Sequence, residues 1–196
     1  MSILIKSAKI IDASSKFNGK TKDIFIKQGI IQEIADNIVK KSAKEINLDN
    51  LHVSQGWLDS SVCFGEPGLE ERETIENGSR TACLSGFTDI ILNSNTLPVI
   101  DSKADVIYVK SKNNNKALKI HPLGALTLKS EGSEMAELHE MFDSGAVGFY
   151  DYKTSVKNPN LLKTALQYVQ HFDGLIMTFP SVSYTHLRAH ETASHL

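Results

Sequence analysis

Seven histidines and two cysteines are the residues of this chain best suited to hold a metal ion or move a proton near neutral pH. His186, His190 and Glu191 form the tightest grouping. Histidines four apart share one face of a helix, and such a face could hold zinc. Cys63 as a thiolate could also ligate zinc, but alone it supplies one ligand, and a small thiol filling space is the preferred reading. Cys83, in TACLSG, is expected to pack in a core. His52, His121, His139 and His171 are scattered and are expected to be ordinary surface or core histidines.

The zinc grouping near the C-terminus falls in a segment of foreign character. The last fifteen residues, VSYTHLRAHETASHL, carry three of the seven histidines and keep no steady strand or helix period. Val182 to Thr192 reads as the in-frame translation of a transposon sequencing adapter. Residues 182–196 are therefore set aside as a non-native tail, and the expectation is of a chain cut near Ser181.

The elements that must position the remaining candidates follow from composition and pattern. The chain has 196 residues, 41% hydrophobic and 22% charged, which is ordinary globular composition with enough apolar material for one sizeable core. A formal net charge of −2 argues against nucleic acid as a partner. No apolar run is long enough for a membrane span. The opening MSILIKSAKIIDASSK lacks a long apolar core and a small-residue cleavage site. Two cysteines suit a reducing compartment, so a cytoplasmic location is expected.

Residues 3–10 and 23–33 alternate apolar and polar positions between turn-rich stretches, which predicts antiparallel strands and hairpins, with another strand at 46–53. From residue 56 the rhythm becomes strand and helix in turn. Strands are predicted at 57–64, 87–94, 119–126, 146–152 and 174–180, and helices at 69–85, 102–112, 133–144 and 160–170. In the third helix, Met135, Leu138 and Phe142 fall on one side. Such βα repeats build a parallel sheet. No Gly-rich phosphate loop follows the first of these strands, which favours a barrel over an open doubly wound sheet. The expected fold is α/β: a truncated (β/α)8 TIM-type barrel of about five strands, preceded by a small N-terminal β-sandwich segment. The expected boundaries are 1–54 for the β-sandwich strands, 55–181 for the first part of the barrel and 182–196 for the tail.

The stretch GWLDSSVCFGEPGLEERETIENGSRTACLSGFTDIILNSNTLPVID resembles the dihydroorotase branch of the amidohydrolase superfamily, and GALTLKSEGSEMAELHEMFDSGAVGFYD matches the same family in order and spacing. ILIKSAKIID and DIFIKQGIIQEIA are similar to the superfamily's N-terminal β-sandwich strands. The resemblance implies a zinc-dependent hydrolase of a cyclic amide, interconverting N-carbamoyl-aspartate and dihydroorotate in pyrimidine biosynthesis. It also implies a His-x-His pair ending the first barrel strand, with an Arg two positions later for the substrate carboxylate. Zinc would lower the pKa of bound water and polarise the carbonyl under attack.

The chain departs from that pattern. The two histidine positions hold Ser61 and Cys63, and the arginine position holds Gly65. Asp151 matches the family's acidic metal ligand, although an Asp at a strand end serves equally as a cap. Asn95, in SNTLP, matches an asparagine that contacts substrate, or satisfies a loop turn. Lys153 lies two residues late for the bridging lysine of other superfamily members and is expected to be solvated. Where active members carry a His after the fifth strand, the chain has Phe179 and Pro180.

The expected function is a dihydroorotase-like protein without catalysis, holding no zinc and assembling with aspartate carbamoyltransferase or with copies of itself. The alternative is an active zinc-dependent dihydroorotase that uses Asp151, Cys63 and further ligands. A half barrel leaves strand edges and helix faces unpaired, so the chain as written is expected to aggregate or to fold in part.

Overall fold

The computed structural model describes residues 1–180. His186, His190, Glu191 and the whole 182–196 tail lie outside the described residues. The chain divides into two compact units with their boundary after Gly56, two residues beyond the expected division.

The first unit is one sheet in the order β3-β2-β1-β4, with β5 also on β1. Its strands are β1 (Ser2–Ile11), β2 (Thr21–Lys27), β3 (Ile30–Ala35), β4 (Lys44–Ile46) and β5 (His52–Ser54). The 23–33 run is a hairpin of β2 and β3. Gln28 and Gly29 both take positive φ (53° and 77°), the turn geometry whose twist matches that of the flanking strands. The strand expected at 46–53 is two short strands, and both run parallel to β1. Asp23 organises this unit. Its buried carboxylate accepts from the Ser7 and Ile38 backbone N–H groups at 2.9 Å each and pairs with Lys6. Ser7 stands at positive φ in the β1 bulge between Ile5 and Ala8, so Asp23 is what holds that bulge.

The second unit alternates strand and helix: β6 (Trp57–Val62), α1 (Ile75–Leu84), β7 (Phe87–Leu92), α2 (Lys103–Lys112), β8 (Lys119–Pro122), α3 (Leu138–Asp143), β9 (Phe149–Tyr150), α4 (Pro159–Val169) and β10 (Ile176–Met177). β6, β7 and β8 pair in parallel, as do β9 and β10. A parallel bridge between Gly124 and Phe149, with Tyr150 N–H on the Gly124 carbonyl at 2.8 Å, joins the two groups. The five strands therefore follow one another in chain order. Apolar residues alternate along them so that Ile90, Leu92 and Phe149 are fully buried with Ile75, Val106, Val109, Leu138 and Met141 of the helices. Gly78 of α1 is required for this packing, since a Cβ there would lie 2.3 Å from the Phe64 ring.

Two helices start later than their periodicity predicts. The 69–85 helix begins only at Ile75, where Thr74 caps Asn77 N–H at 3.2 Å. Residues 65–73 instead form a closed turn, with Leu69 N–H on Gly65 O and both Gly65 and Glu66 N–H groups on Glu73 O. The 133–144 helix is reduced to 138–143 because residues 126–136 are tied into a loop, and Met135 bridges Thr127 instead of joining the helical stripe.

Candidate functional site

In a parallel sheet the carboxyl ends of the strands and their following loops gather side chains in one place. Here Ser61 stands near the end of β6, Cys63 just beyond it, and Asn93 just beyond β7. Asn93 is 1% exposed, and its amide Nδ2 donates to Ser61 Oγ (3.1 Å), Val62 O (3.2 Å) and Cys63 Sγ (3.4 Å). Its backbone N–H also reaches Val62 O at 2.9 Å. One neutral side chain thus cross-links the two strand positions that the sequence marked as histidine replacements. The sequence reading passed over Asn93; the signal was a carboxamide directly following the apolar run FTDIIL. Ser94 Oγ donates to Tyr150 O at 2.8 Å and fastens this corner to β9. The amide oxygens of Asn93 and Asn95 are both buried, with no hydrogen-bond partner among the described residues.

Asp151, 2% exposed, follows β9. One carboxylate oxygen accepts the Leu126 and Thr127 backbone N–H groups (2.9 and 3.0 Å), and the other accepts the Thr127 hydroxyl at 2.5 Å. The structure therefore uses this carboxylate to shape the 126–132 loop. Lys153 is exposed, with its ammonium 5.1 Å from the Tyr152 ring centre. Phe179 and Pro180, after β10, are also exposed.

Gly65 is buried, and a Cβ there would stand 1.8 Å from the Leu69 carbonyl oxygen. The turn that closes over it is held by Glu66, a second residue the sequence reading did not single out. Glu66 accepts Ile75 N–H (2.9 Å) and the Tyr108 hydroxyl (3.1 Å), with Lys112 at 3.4 Å. Burial pushes its carboxyl up, but the Ile75 N–H, Tyr108 and Lys112 outweigh it, and the net shift is downward. A group held below its ordinary value stabilises the fold above that value and loses this contribution as pH falls through the lowered one. Glu66→Gln is expected to cost about 2 kcal/mol at pH 7 and to flatten the acid limb of stability below about pH 4. Urea titrations across pH check this; an unchanged acid limb refutes it.

Among the described residues, no histidine of the second unit is hydrogen-bonded to this corner. His52 accompanies the Asn50 carbonyl at 2.8 Å, His139 packs edge-on against Phe172, and His171 is exposed beyond α4. His121 on β8 pairs with Asp89 on β7 at 2.8 Å, which holds the Asp89 carboxyl below its usual range. Cys83, on α1, is half-buried.

Comparison with known proteins agrees with this architecture. A family profile described as dihydro-orotase-like matches residues 52–181. A dihydroorotase of Ruminiclostridium cellulolyticum is 35% identical over 179 residues, 91% of this chain and 42% of the relative. One of Pelotomaculum thermopropionicum is 36% identical over 170 residues, 86% and 39%. The chain thus spans about two-fifths of the length of these curated relatives. Among solved structures, the L-hydantoinase (dihydropyrimidinase) from Arthrobacter aurescens shares the fold, with a TM-score of 0.76 at 18% identity over 99% of this chain and 44% of that one. On the profile match and these relatives, the chain belongs to the dihydro-orotase-like family.

Proposed function

We propose that this chain is the first part of a dihydroorotase-like scaffold of pyrimidine biosynthesis that has lost hydrolysis and serves structurally, as a partner of aspartate carbamoyltransferase or of its own copies. On this reading, the five parallel strands are the opening of a (β/α)8 barrel and the N-terminal sheet is one layer of a β-sandwich. The Asn93 amide cross-linking Ser61 and Cys63 carries the proposal. Hydrolysis of a cyclic amide at neutral pH calls for an activated water, which zinc supplies when held by imidazole, thiolate or carboxylate groups.

The donors present do not fit that ion. Ser61 is a neutral hydroxyl already engaged with Asn93, and Cys63 is a single sulfur receiving the same amide. The lone pairs of Asp151 are directed at loop N–H and O–H groups. Position 65 has no room for a cationic side chain that would pair with a substrate carboxylate.

The test is elemental mass spectrometry on the full-length parent protein, purified without chelator, alongside a carbamoyl-aspartate cyclisation assay. Zinc well below one ion per chain and no cyclisation are expected. One or two zinc ions per chain with turnover would overturn the proposal in favour of a zinc-dependent dihydroorotase, with Cys63 and Asp151 as the ligands to substitute. Co-elution with aspartate carbamoyltransferase in gel filtration supports the partner; separate elution of both removes it.

A further inference from the structure

A second concave site lies away from the Ser61–Cys63–Asn93 corner, where β8 begins. It is a cavity of about 470 Å³ between the end of α2, the 113–117 loop and Gly145, within the size range of small-molecule pockets. Its wall carries Lys110, Lys116, Lys119 and His121 together with Asn113 and Asn115, and no carboxylate among the described residues. In a chain of net charge −2, this is a local concentration of one sign.

The pocket is shaped by specific bonds. The Asn113 amide donates to Leu118 O (2.8 Å) while its oxygen accepts Asn115 N–H (3.1 Å), and the Asn115 oxygen accepts Ala117 N–H (3.0 Å). This ladder sets the course of the loop that carries Lys116 and leads into Lys119. Lys110 donates to Ser144 O at 3.1 Å and lies against Gly145, where a Cβ would stand 2.1 Å from its ammonium. Gly145 has φ +102°, so the left-handed turn and the missing side chain together give that ammonium its place. Lys116 and Lys119 form no ion pair within 4 Å among the described residues. Asp89, the β7 register partner of Lys119, is hydrogen-bonded to His121 and also feels the Lys119 charge, which leaves Lys110 and Lys116 as the ammonium groups with no carboxylate partner among the described residues.

We propose that this pocket binds a phosphate-bearing small molecule, a di- or polyphosphate anion. Ammonium groups act as compact point charges suited to phosphate oxygens, and three lysines line this one cavity. The pocket is separate from the family's site positions, so the proposal does not depend on whether zinc or a cyclic amide binds.

The test titrates inorganic pyrophosphate into the full chain by isothermal calorimetry at about 0.1 M salt, with Lys116→Gln, Lys119→Gln and the double variant. Both lysines are exposed, so the variants are expected to keep the parent's melting temperature. A Kd below about 1 mM, weakened about tenfold in the double variant, is expected. No heat at millimolar pyrophosphate overturns the proposal, as does binding that the substitutions leave unchanged. Equal affinity for sulfate at matched ionic strength makes the site a nonspecific anion patch and also overturns it. Tighter binding of a single-stranded oligonucleotide than of pyrophosphate assigns the surface to nucleic acid instead.

Discussion

Gly65→Arg, which would place a cation where the sequence resemblance implies one, is expected to destabilise the second unit by about 3 kcal/mol or more and to create no carboxylate-binding site. The obstacle is backbone. A Cβ at position 65 would lie 1.8 Å from the Leu69 carbonyl oxygen and 2.7 Å from its carbon, and neither atom can yield as a flexible side chain would. Relief requires opening the 65–73 turn, which breaks the Leu69 N–H bond to Gly65 O and the Gly65 and Glu66 N–H bonds to Glu73 O. It also moves Glu66 away from Ile75, Tyr108 and Lys112. Ser61→His and Cys63→His change exposed side chains and are expected to cost about 1 kcal/mol each, chiefly through the lost bonds to Asn93. Urea midpoints of the single variants separate the two cases. A Gly65→Arg midpoint equal to that of the parent chain would show that the turn has another low-energy path.

This contrast marks what the sequence reveals and what it conceals. The residue types at 61, 63 and 65 are legible directly in the sequence. That position 65 admits no side chain is not legible, because the excluding atom belongs to Leu69 and arrives there only through the fold. The strand at Phe87–Leu92 and the helix at Lys103–Lys112 could be read from the sequence, the strand from its alternating burial and the helix from its place between two strands. The segments at 69–74 and 133–137 could not. Their helical pattern is overruled by other backbone bonds, in one case the Glu73 carbonyl turning back on residues 65 and 66, in the other the Leu126 carbonyl and Leu128 N–H pairing with Ala136 and Glu134. Asn93 escaped for a related reason: a carboxamide at a strand end usually means a turn, and only the neighbouring strand shows what it bonds.

Asp151 tests whether the polar corner is held by protein groups or awaits an ion. Asp151→Ala is expected to cost about 3–5 kcal/mol, a loss produced without any metal. The substitution leaves the Leu126 and Thr127 N–H groups and the Thr127 hydroxyl buried without their acceptor. Thr127 Oγ1 also accepts Gly132 N–H at 2.8 Å, so the disturbance runs along the whole 126–132 loop. That loop carries Leu126, fully buried in the core, and its N–H and C=O groups have no water to turn to at that depth. Asp151→Asn keeps the volume but presents an NH₂ group to donors, and is expected to fall between Ala and the parent chain. A carboxylate kept for zinc would behave in the opposite way. Its removal would relieve unpaired negative charge in the metal-free protein, leaving stability unchanged or raised, and the cost would appear only when zinc is added. Urea unfolding of both variants with chelator and with added zinc distinguishes the two. Equal losses in both conditions identify Asp151 as the clasp of the loop, and a loss confined to the zinc condition would identify it as a ligand.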